Sequence, residues 1–200
     1  EANIRENVAF AREVQGRERL GDARPLADDA LAYLTGHDAV EDAAVAALRD
    51  HLLPLSTVIT PNLPEAAVLL GEAEDPHDEA GMADTGRRLL GLGPQAVLVK
   101  GGHLRAGHAP DVLCDAHGVR TFTAARIATT NAHGTGCTLS SAIAALAPRA
   151  DDLATAVAGA KRYLSSALSA ADDLAIGHGQ GPVQHFVAAW SSDPAAQWLD

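Results

Sequence analysis

One apolar run constrains the fold of this chain more than any other segment: Ala96-Val97-Leu98-Val99-Lys100, which ends at Gly101-Gly102. Its length and its valines are typical of a buried strand, and the two glycines end it. The segments 78–92 and 137–146, on either side, show the composition and spacing of helices. Strands that alternate with helices predict an α/β fold with a mostly parallel sheet covered on both faces.

The remaining elements follow the same alternation. We expect a short buried strand at Leu55–Thr60 and a helix at Pro64–Leu70. The segments Asp111–Asp115 and Val119–Thr123 predict a β-hairpin at the edge of the sheet. A long helix is expected at Leu153–Ala171. In a parallel sheet ligands gather beyond the carboxyl ends of the strands, so the polar residues at those ends are the first candidates for a site.

Charge and cysteine content restrict the partners. The chain has 26 acidic and 15 basic residues, a formal charge of -11, and no basic stripe that could track a nucleic acid. An anionic nucleotide would therefore need backbone amides, a lysine or a cation to hold it. Cys114 and Cys137 are the only cysteines, which suits a reducing cytosol. No apolar run reaches ~18 residues and no leader is evident, so we expect a cytoplasmic location and no membrane partner.

The segment Asn131-Ala132-His133-Gly134-Thr135-Gly136-Cys137-Thr138 is a glycine-rich turn that leads into an Ala-rich helix. Glycines allow backbone N–H groups to approach an anion, and the start of a helix adds unpaired donors and partial positive charge. The turn therefore predicts a phosphate cradle. Cys137 falls in the first helical turn, where the dipole favours a thiolate that could accept a proton. A plain helix start with a small buried cysteine is the alternative on these residues alone.

Four motifs occur in a fixed order, and together they resemble one family. They are Thr60-Pro61-Asn62-Leu63-Pro64-Glu65, Val99-Lys100-Gly101-Gly102-His103, His133-Gly134-Thr135-Gly136-Cys137-Thr138 and Gly177-His178-Gly179-Gln180-Gly181-Pro182-Val183. This pattern is similar to that of the hydroxymethylpyrimidine (phosphate) kinases of the ribokinase-like superfamily, in which most other members carry Asp at the position of Cys137. One branch of pyridoxal kinases shares the cysteine, so pyridoxal or pyridoxamine is the alternative substrate.

The resemblance implies a three-layer α/β sandwich that phosphorylates hydroxymethylpyrimidine and its monophosphate with ATP in thiamin biosynthesis. It implies that Gly134, Thr135 and Gly136 form an anion hole for the transferred phosphoryl group. Cys137 would be the base for the substrate hydroxyl, and His133 would assist at the phosphates.

The resemblance also implies a cation and a nucleotide site. Asn62 and Glu65 match the element that positions Mg²⁺ and its waters, and hard oxygen ligands suit that ion. Lys100 matches a lysine that reaches the nucleotide phosphates. Lys161 and the loop from Gly177 to Val183 match segments near the nucleotide base. Without the resemblance, a helix cap would be the simpler interpretation of Asn62 and Glu65, and a lysine packed at a strand end would be the simpler interpretation of Lys100.

The resemblance covers only part of a complete family member. Residues 36–186 match its ATP-binding, catalytic half, whereas residues 1–35 are helical in character with no assigned role and 187–200 are an unassigned tail. The N-terminal part of the fold, with most of the pyrimidine pocket, is not recognisable, and Ala132 and Gln184 depart from the usual motifs. An exposed sheet edge could pair with a missing N-terminal half or in a homodimer. A truncated, non-catalytic nucleotide-binding or assembly module is therefore a further alternative.

Overall fold

The computed structural model of the chain describes residues 44–102, 104, 108–174, 176 and 179–187. The expectations for residues 1–35, for the tail beyond Val187 and for His103, Gly177 and His178 lie outside these ranges. The chain divides into two compact units, Glu1–Thr123 and Ala124–Asp200. Across the described ranges, no helix is long and apolar enough to cross a lipid bilayer.

Two helices pack against a sheet in the first unit. Helix α1 spans Leu63–Leu70, helix α2 spans Glu79–Leu90, and the strands are β1, Ala96–Lys100, β2, His108–Asp115, and β3, Gly118–Ala125. The strand order is β1-β2-β3. β1 and β2 are antiparallel, with Ala96 opposite Asp115 and Lys100 opposite Asp111. The hairpin predicted from the sequence is confirmed as β2 and β3, and helices α1 and α2 are also close to their predicted positions.

The mostly parallel sheet expected from the sequence is not confirmed, because the pairing between β1 and β2 is antiparallel. Parallel pairing in this unit occurs as isolated bridges, in which Ile59 pairs with Val97 and Asn62 pairs with Lys100. The amide of Lys100 donates to the carbonyl of Pro61 at 2.8 Å. The segment before α1 therefore runs beside β1 and brings its end to the end of that strand.

The strand predicted at Leu55–Thr60 is only partly confirmed. Leu53–Leu55 form a 3-10 turn that contains Pro54. Ser56 closes this turn, because its amide donates to Leu53 O at 3.0 Å and its hydroxyl donates to Leu52 O at 2.9 Å. These bonds hold Ser56 in the turn, so the extended segment starts after it. That segment pairs with β1 at Ile59.

Apolar side chains from both helices and two strands form the core of the first unit. Its buried members are Leu63, Ala66, Met82, Leu89, Val97, Val99, Val112 and Cys114. The backbone of α2 approaches β2 closely at Gly86, where a Cβ would lie 2.5 Å from the Sγ of Cys114. Interiors are close-packed, so this contact leaves no room for a methyl group.

The second unit is helical. Helix α3 spans Thr135–Leu146, helix α4 spans Leu153–Ser169, and short 3-10 turns cover Ala147–Arg149 and Ala171–Asp173. The two helices pack against each other. The buried face of α4 is rich in small residues, among them Ala156, Gly159 and Ala160, whereas the buried residues of α3 are Thr138, Leu139, Ser140 and Ile143. Both helices were predicted, although α3 begins before Cys137 and α4 ends before Ala171.

The close contact at Gly86 reverses the effect expected when a glycine in a helix is replaced by alanine: the free energy of unfolding should fall. Alanine normally stabilises a helix by ~1 kcal/mol relative to glycine. We expect Gly86→Ala to destabilise the protein by about 1–3 kcal/mol instead, because the added methyl group overpacks against Cys114. Urea midpoints of the parent, Gly86→Ala, Cys114→Ala and the double variant measure this. The penalty should shrink in the Cys114→Ala background, and an equal penalty there would contradict the packing explanation.

Candidate phosphate-binding and catalytic site

Asn62 and Glu65 form a capping box at the start of α1. The Oδ1 of Asn62 accepts from the amide of Glu65 at 2.8 Å, and the Oε2 of Glu65 accepts from the amide of Asn62 at 2.7 Å. The alternative interpretation of this pair, a helix cap, is therefore correct for their local structure. A cap does not exhaust their oxygen lone pairs, and the side chain of Glu65 is 44% exposed.

Lys100 ends β1 beside this capping box. Its ammonium donates to the carbonyl of Thr60 and lies 3.8 Å from Glu65 Oε2. Its side chain is only 18% exposed, so these contacts hold the charge at the end of the strand. The structure thus brings Asn62, Glu65 and Lys100 together within the first unit, as the sequence predicted for groups at strand ends.

Gly101 and Asp111 form a support for this strand end that the sequence analysis missed. A Cβ at Gly101 would lie 2.0 Å from the carbonyl oxygen of Pro110, so the position requires glycine. The amide of Gly101 donates to Asp111 Oδ1 at 3.1 Å, and Asp111 is buried. Asp111 lies directly opposite Lys100 in the antiparallel pair. Only the register of that pair, which the sequence does not specify, reveals this contact.

Gly134 begins α3 in a left-handed conformation, with φ of 81°. This conformation strains residues that carry a Cβ, so it explains the need for glycine here. The hydroxyl and the amide of Thr138 both bond the carbonyl of Gly134 at 2.8 Å. The hydroxyl of Ser140 bonds the carbonyl of Cys137 at 3.1 Å. The hydroxyls of Thr138 and Ser140 therefore bond backbone carbonyls at the start of α3.

The start of α3 differs from the starts of the other helices. Asn62, Asp78 and Asp152 each accept a bond from an amide in the first turn of α1, α2 and α4. α3 lacks such a capping bond, because its N-cap residue, Gly134, has no side chain. The first turn of a helix leaves N–H groups without acceptors inside the helix. At α3 the space beside Gly134 is open, since a Cβ there would meet nothing within 4 Å, and the Thr135 amide makes a long bond of 3.4 Å to the carbonyl of Ala132. An anion beside this turn would find donors that no N-cap side chain occupies.

The two cysteines differ in environment. Cys137 lies in the first turn of α3 and is partly exposed. Cys114 is fully buried, and burial raises the pKa of its thiol, with a smaller opposing effect from Arg87 and a further small rise from Asp115. Cys114 therefore stays protonated and serves as packing. Cys137 is therefore the more accessible of the two thiols.

His133 and Lys161 lie in different surroundings within the second unit. His133 is exposed, and its amide donates to the carbonyl of Gly181 at 3.1 Å, in a parallel bridge with Pro182. Lys161 lies in the middle of α4 and is buried, so its position is less open to a ligand than the sequence suggested. Asn131 is the first residue of the glycine motif, and the sequence predicted no role for it. In the structure its Oδ1 accepts a hydrogen bond from the amide of Gly181.

Comparison with known proteins gives one family. Residues 15–184 match the family model described as phosphomethylpyrimidine kinase. The hydroxymethylpyrimidine/phosphomethylpyrimidine kinase of Escherichia coli K12 is 52% identical over 163 residues, which are 82% of this chain and 61% of that protein. The chain thus spans less than two thirds of that relative's length.

Solved structures of a pyridoxal kinase and of a phosphomethylpyrimidine kinase both match the chain. The ADP complex of Bacillus subtilis pyridoxal kinase is 31% identical with a TM-score of 0.69, and the match covers 76% of this chain and 56% of that one. The phosphomethylpyrimidine kinase of Clostridium difficile 630 is 34% identical with a TM-score of 0.52, over 62% of this chain and 48% of that one.

A pair of glycines provides a direct test of the turn before α3. Gly134 and Gly71 both have left-handed backbones, with φ of 81° and 72°, and a Cβ would meet nothing within 4 Å at either. We expect Gly134→Ala and Gly71→Ala each to lower stability by about 1–2 kcal/mol, because both strain the backbone. Only Gly134→Ala should also weaken Mg-ATP binding, by roughly tenfold, since it displaces charge-assisted donors.

Calorimetric titration and thermal unfolding of the intact protein measure the two effects separately. Equal Mg-ATP affinities in the two variants would show that this turn does not bind the nucleotide.

Proposed function

The chain belongs to the phosphomethylpyrimidine kinase family, and from this membership we propose that it forms the ATP-binding, catalytic part of a kinase. The enzyme transfers the terminal phosphoryl group of ATP to hydroxymethylpyrimidine and then to its monophosphate, in thiamin biosynthesis. The observation that carries this proposal is the uncapped start of α3 at Gly134, with the partly exposed Cys137 in the same turn. The proposed fold is the three-layer, mostly parallel sandwich of the ribokinase-like superfamily.

The amides around Gly134, Thr135 and Gly136 act on the charge that develops during transfer. Phosphoryl transfer depends on positioning and on electrostatic stabilisation, because the chemistry itself makes few demands on the protein. Donors that are already oriented lower the barrier without reorganising during the reaction. The substrate oxygen forms a bond to the γ-phosphorus while the bond from that phosphorus to the bridging oxygen of ADP breaks. With hydroxymethylpyrimidine, Cys137 Sγ accepts the hydroxyl proton.

Lys100 contacts the nucleotide phosphates as a point charge held by Thr60 and Glu65. In the proposed site, His133 assists at the nucleotide phosphates and Lys161 lies near the nucleotide base. Support for nucleotide use comes from the ADP complex of the Bacillus subtilis pyridoxal kinase.

Mg²⁺ fits the chemistry of the oxygens at Asn62 and Glu65, because a carboxylate and an amide carbonyl are hard ligands and Glu65 is partly exposed. The described residues contain no group of three or more His, Cys, Asp or Glu side chains arranged for a metal ion. These two residues would therefore hold Mg²⁺ together with waters and phosphate oxygens, as is usual for this ion. When bound, the ion would neutralise phosphate charge.

Pyridoxal or pyridoxamine is the second candidate substrate. The observation in its favour is the structural match to Bacillus subtilis pyridoxal kinase, whose TM-score of 0.69 exceeds the 0.52 of the phosphomethylpyrimidine kinase of Clostridium difficile. The identity of 52% to the kinase of Escherichia coli favours the pyrimidine. A further alternative is that catalysis needs residues outside this chain. In that case the chain by itself would bind nucleotide without catalysing the phosphoryl transfer.

Replacement of Cys137 tests the proposed base. We expect Cys137→Ala to lower kcat for hydroxymethylpyrimidine by about 10²–10⁴-fold, because a positioned base contributes that much to a proton transfer. Release of ADP by the intact protein is measured side by side with hydroxymethylpyrimidine and with pyridoxal. Cys114→Ala is the matched control, which should lose stability and keep kcat.

Activity of Cys137→Ala within a few-fold of the parent would exclude the role of Cys137. Faster turnover of pyridoxal than of the pyrimidine in the parent would instead select the alternative substrate.

A further inference from the structure

The side chain of Asn131 bonds in two directions just before the glycine turn. Its Nδ2 donates to Asp172 Oδ1 at 2.9 Å and approaches the carbonyl of Ala171 at 3.4 Å. Its Oδ1 accepts from the amide of Gly181 at 3.1 Å. One amide group therefore joins three segments that are distant in sequence: the entry to α3, the turn after α4 and the C-terminal loop.

Gly181 is held on both sides. Its amide bonds Asn131 Oδ1, and its carbonyl accepts from the amide of His133 at 3.1 Å. The residue is buried, and a Cβ would lie 2.3 Å from Asn131 Oδ1. The loop can therefore approach the segment 131–133 this closely only with glycine at position 181.

A third residue reinforces Asn131. The hydroxyl of Thr129 donates to Asp172 Oδ1 at 2.5 Å and accepts from the amide of Asn131 at 3.0 Å. Asp172 Oδ1 thus accepts from both Thr129 and Asn131, so the backbone and the side chain of Asn131 are both fixed. This network ends three residues before Gly134.

We propose that Asn131 is a positioning residue that sets the amides of the glycine turn by tying the segment 131–133 to Asp172 and Gly181. The inference rests on the proposed function, because it assigns the turn to the transferred phosphoryl group. Misplacement of a transition-state donor by about 1 Å can cost ~10²-fold in rate. Nucleotide affinity in the ground state depends on more contacts, so Asn131 affects kcat more than nucleotide binding.

Exchanging the groups of Asn131 and Asp172 tests the inference. Asn131→Asp keeps an oxygen for Gly181 but removes the donor to Asp172 and places two carboxylates in contact, so we expect kcat to fall at least ~10-fold with Kd for Mg-ADP within about threefold. Adding Asp172→Asn removes the repulsion and supplies an Nδ2 donor for the new carboxylate at position 131, but that Nδ2 cannot accept from the Thr129 hydroxyl, so kcat should recover in part. Asp173→Asn, beside Asp172, is the matched control and should leave kcat unchanged.

Hydrogen exchange of the intact protein separates this inference from the proposed function. Mass spectrometry of the segments 131–136 and 179–184 should show faster exchange in Asn131→Asp and recovered protection in the double variant, whether or not the protein phosphorylates a pyrimidine. Exchange unchanged in Asn131→Asp, or no recovery in the double variant, overturns the positioning role. If the double variant recovers its protection but the parent shows no pyrimidine-dependent release of ADP, the positioning role of Asn131 stands and the proposed function is rejected.

Discussion

The backbone conformation of Gly134 is the constraint on which the account of the site depends. A left-handed residue at the start of a helix turns the incoming chain sharply, and glycine adopts it without strain. Because glycine also lacks a capping side chain, no N-cap side chain occupies the amides of the first turn of α3, and the Thr135 amide is bonded only at 3.4 Å, to the carbonyl of Ala132. In a protein with a formal charge of -11, this local concentration of donors offsets a field that otherwise opposes an anionic ligand.

Support around the candidate residues follows the same physical pattern in each unit. In the first unit, a buried Asp111 holds the amide of Gly101 directly after Lys100. In the second unit, Asn131 holds the amide of Gly181 beside the segment that enters the glycine turn. In both cases a side-chain oxygen bonds the amide of a glycine whose Cβ would collide with a neighbour. Packing and hydrogen bonding together therefore fix loops that carry the proposed chemistry.

Local patterns predicted much of the fold and of the candidate site. The strand Ala96–Lys100 was predicted to the residue, because its apolar run ends at glycines. The end of α1 at Gly71 and the hydroxyl contacts of Thr138 also follow from short-range chemistry. The missed features need distant contacts: the bond from Asn131 to Asp172 spans 41 positions, and the contact of Asp111 depends on strand register. The expected parallel sheet is not confirmed beyond isolated bridges, since local sequence does not specify which strands pair.

The central claim, that the amides of the Gly134-Thr135-Gly136 turn bind the terminal phosphate of ATP, can be measured residue by residue. Amide chemical shifts of the intact protein would be compared with Mg-ATP, with Mg-ADP and without nucleotide. We predict large downfield shifts of the Thr135 and Gly136 amides with ATP and much smaller shifts with ADP, because a stronger hydrogen bond forms only when the γ-phosphate is present. Equal shifts with both nucleotides, or no shift at these amides while nucleotide binds, would contradict it.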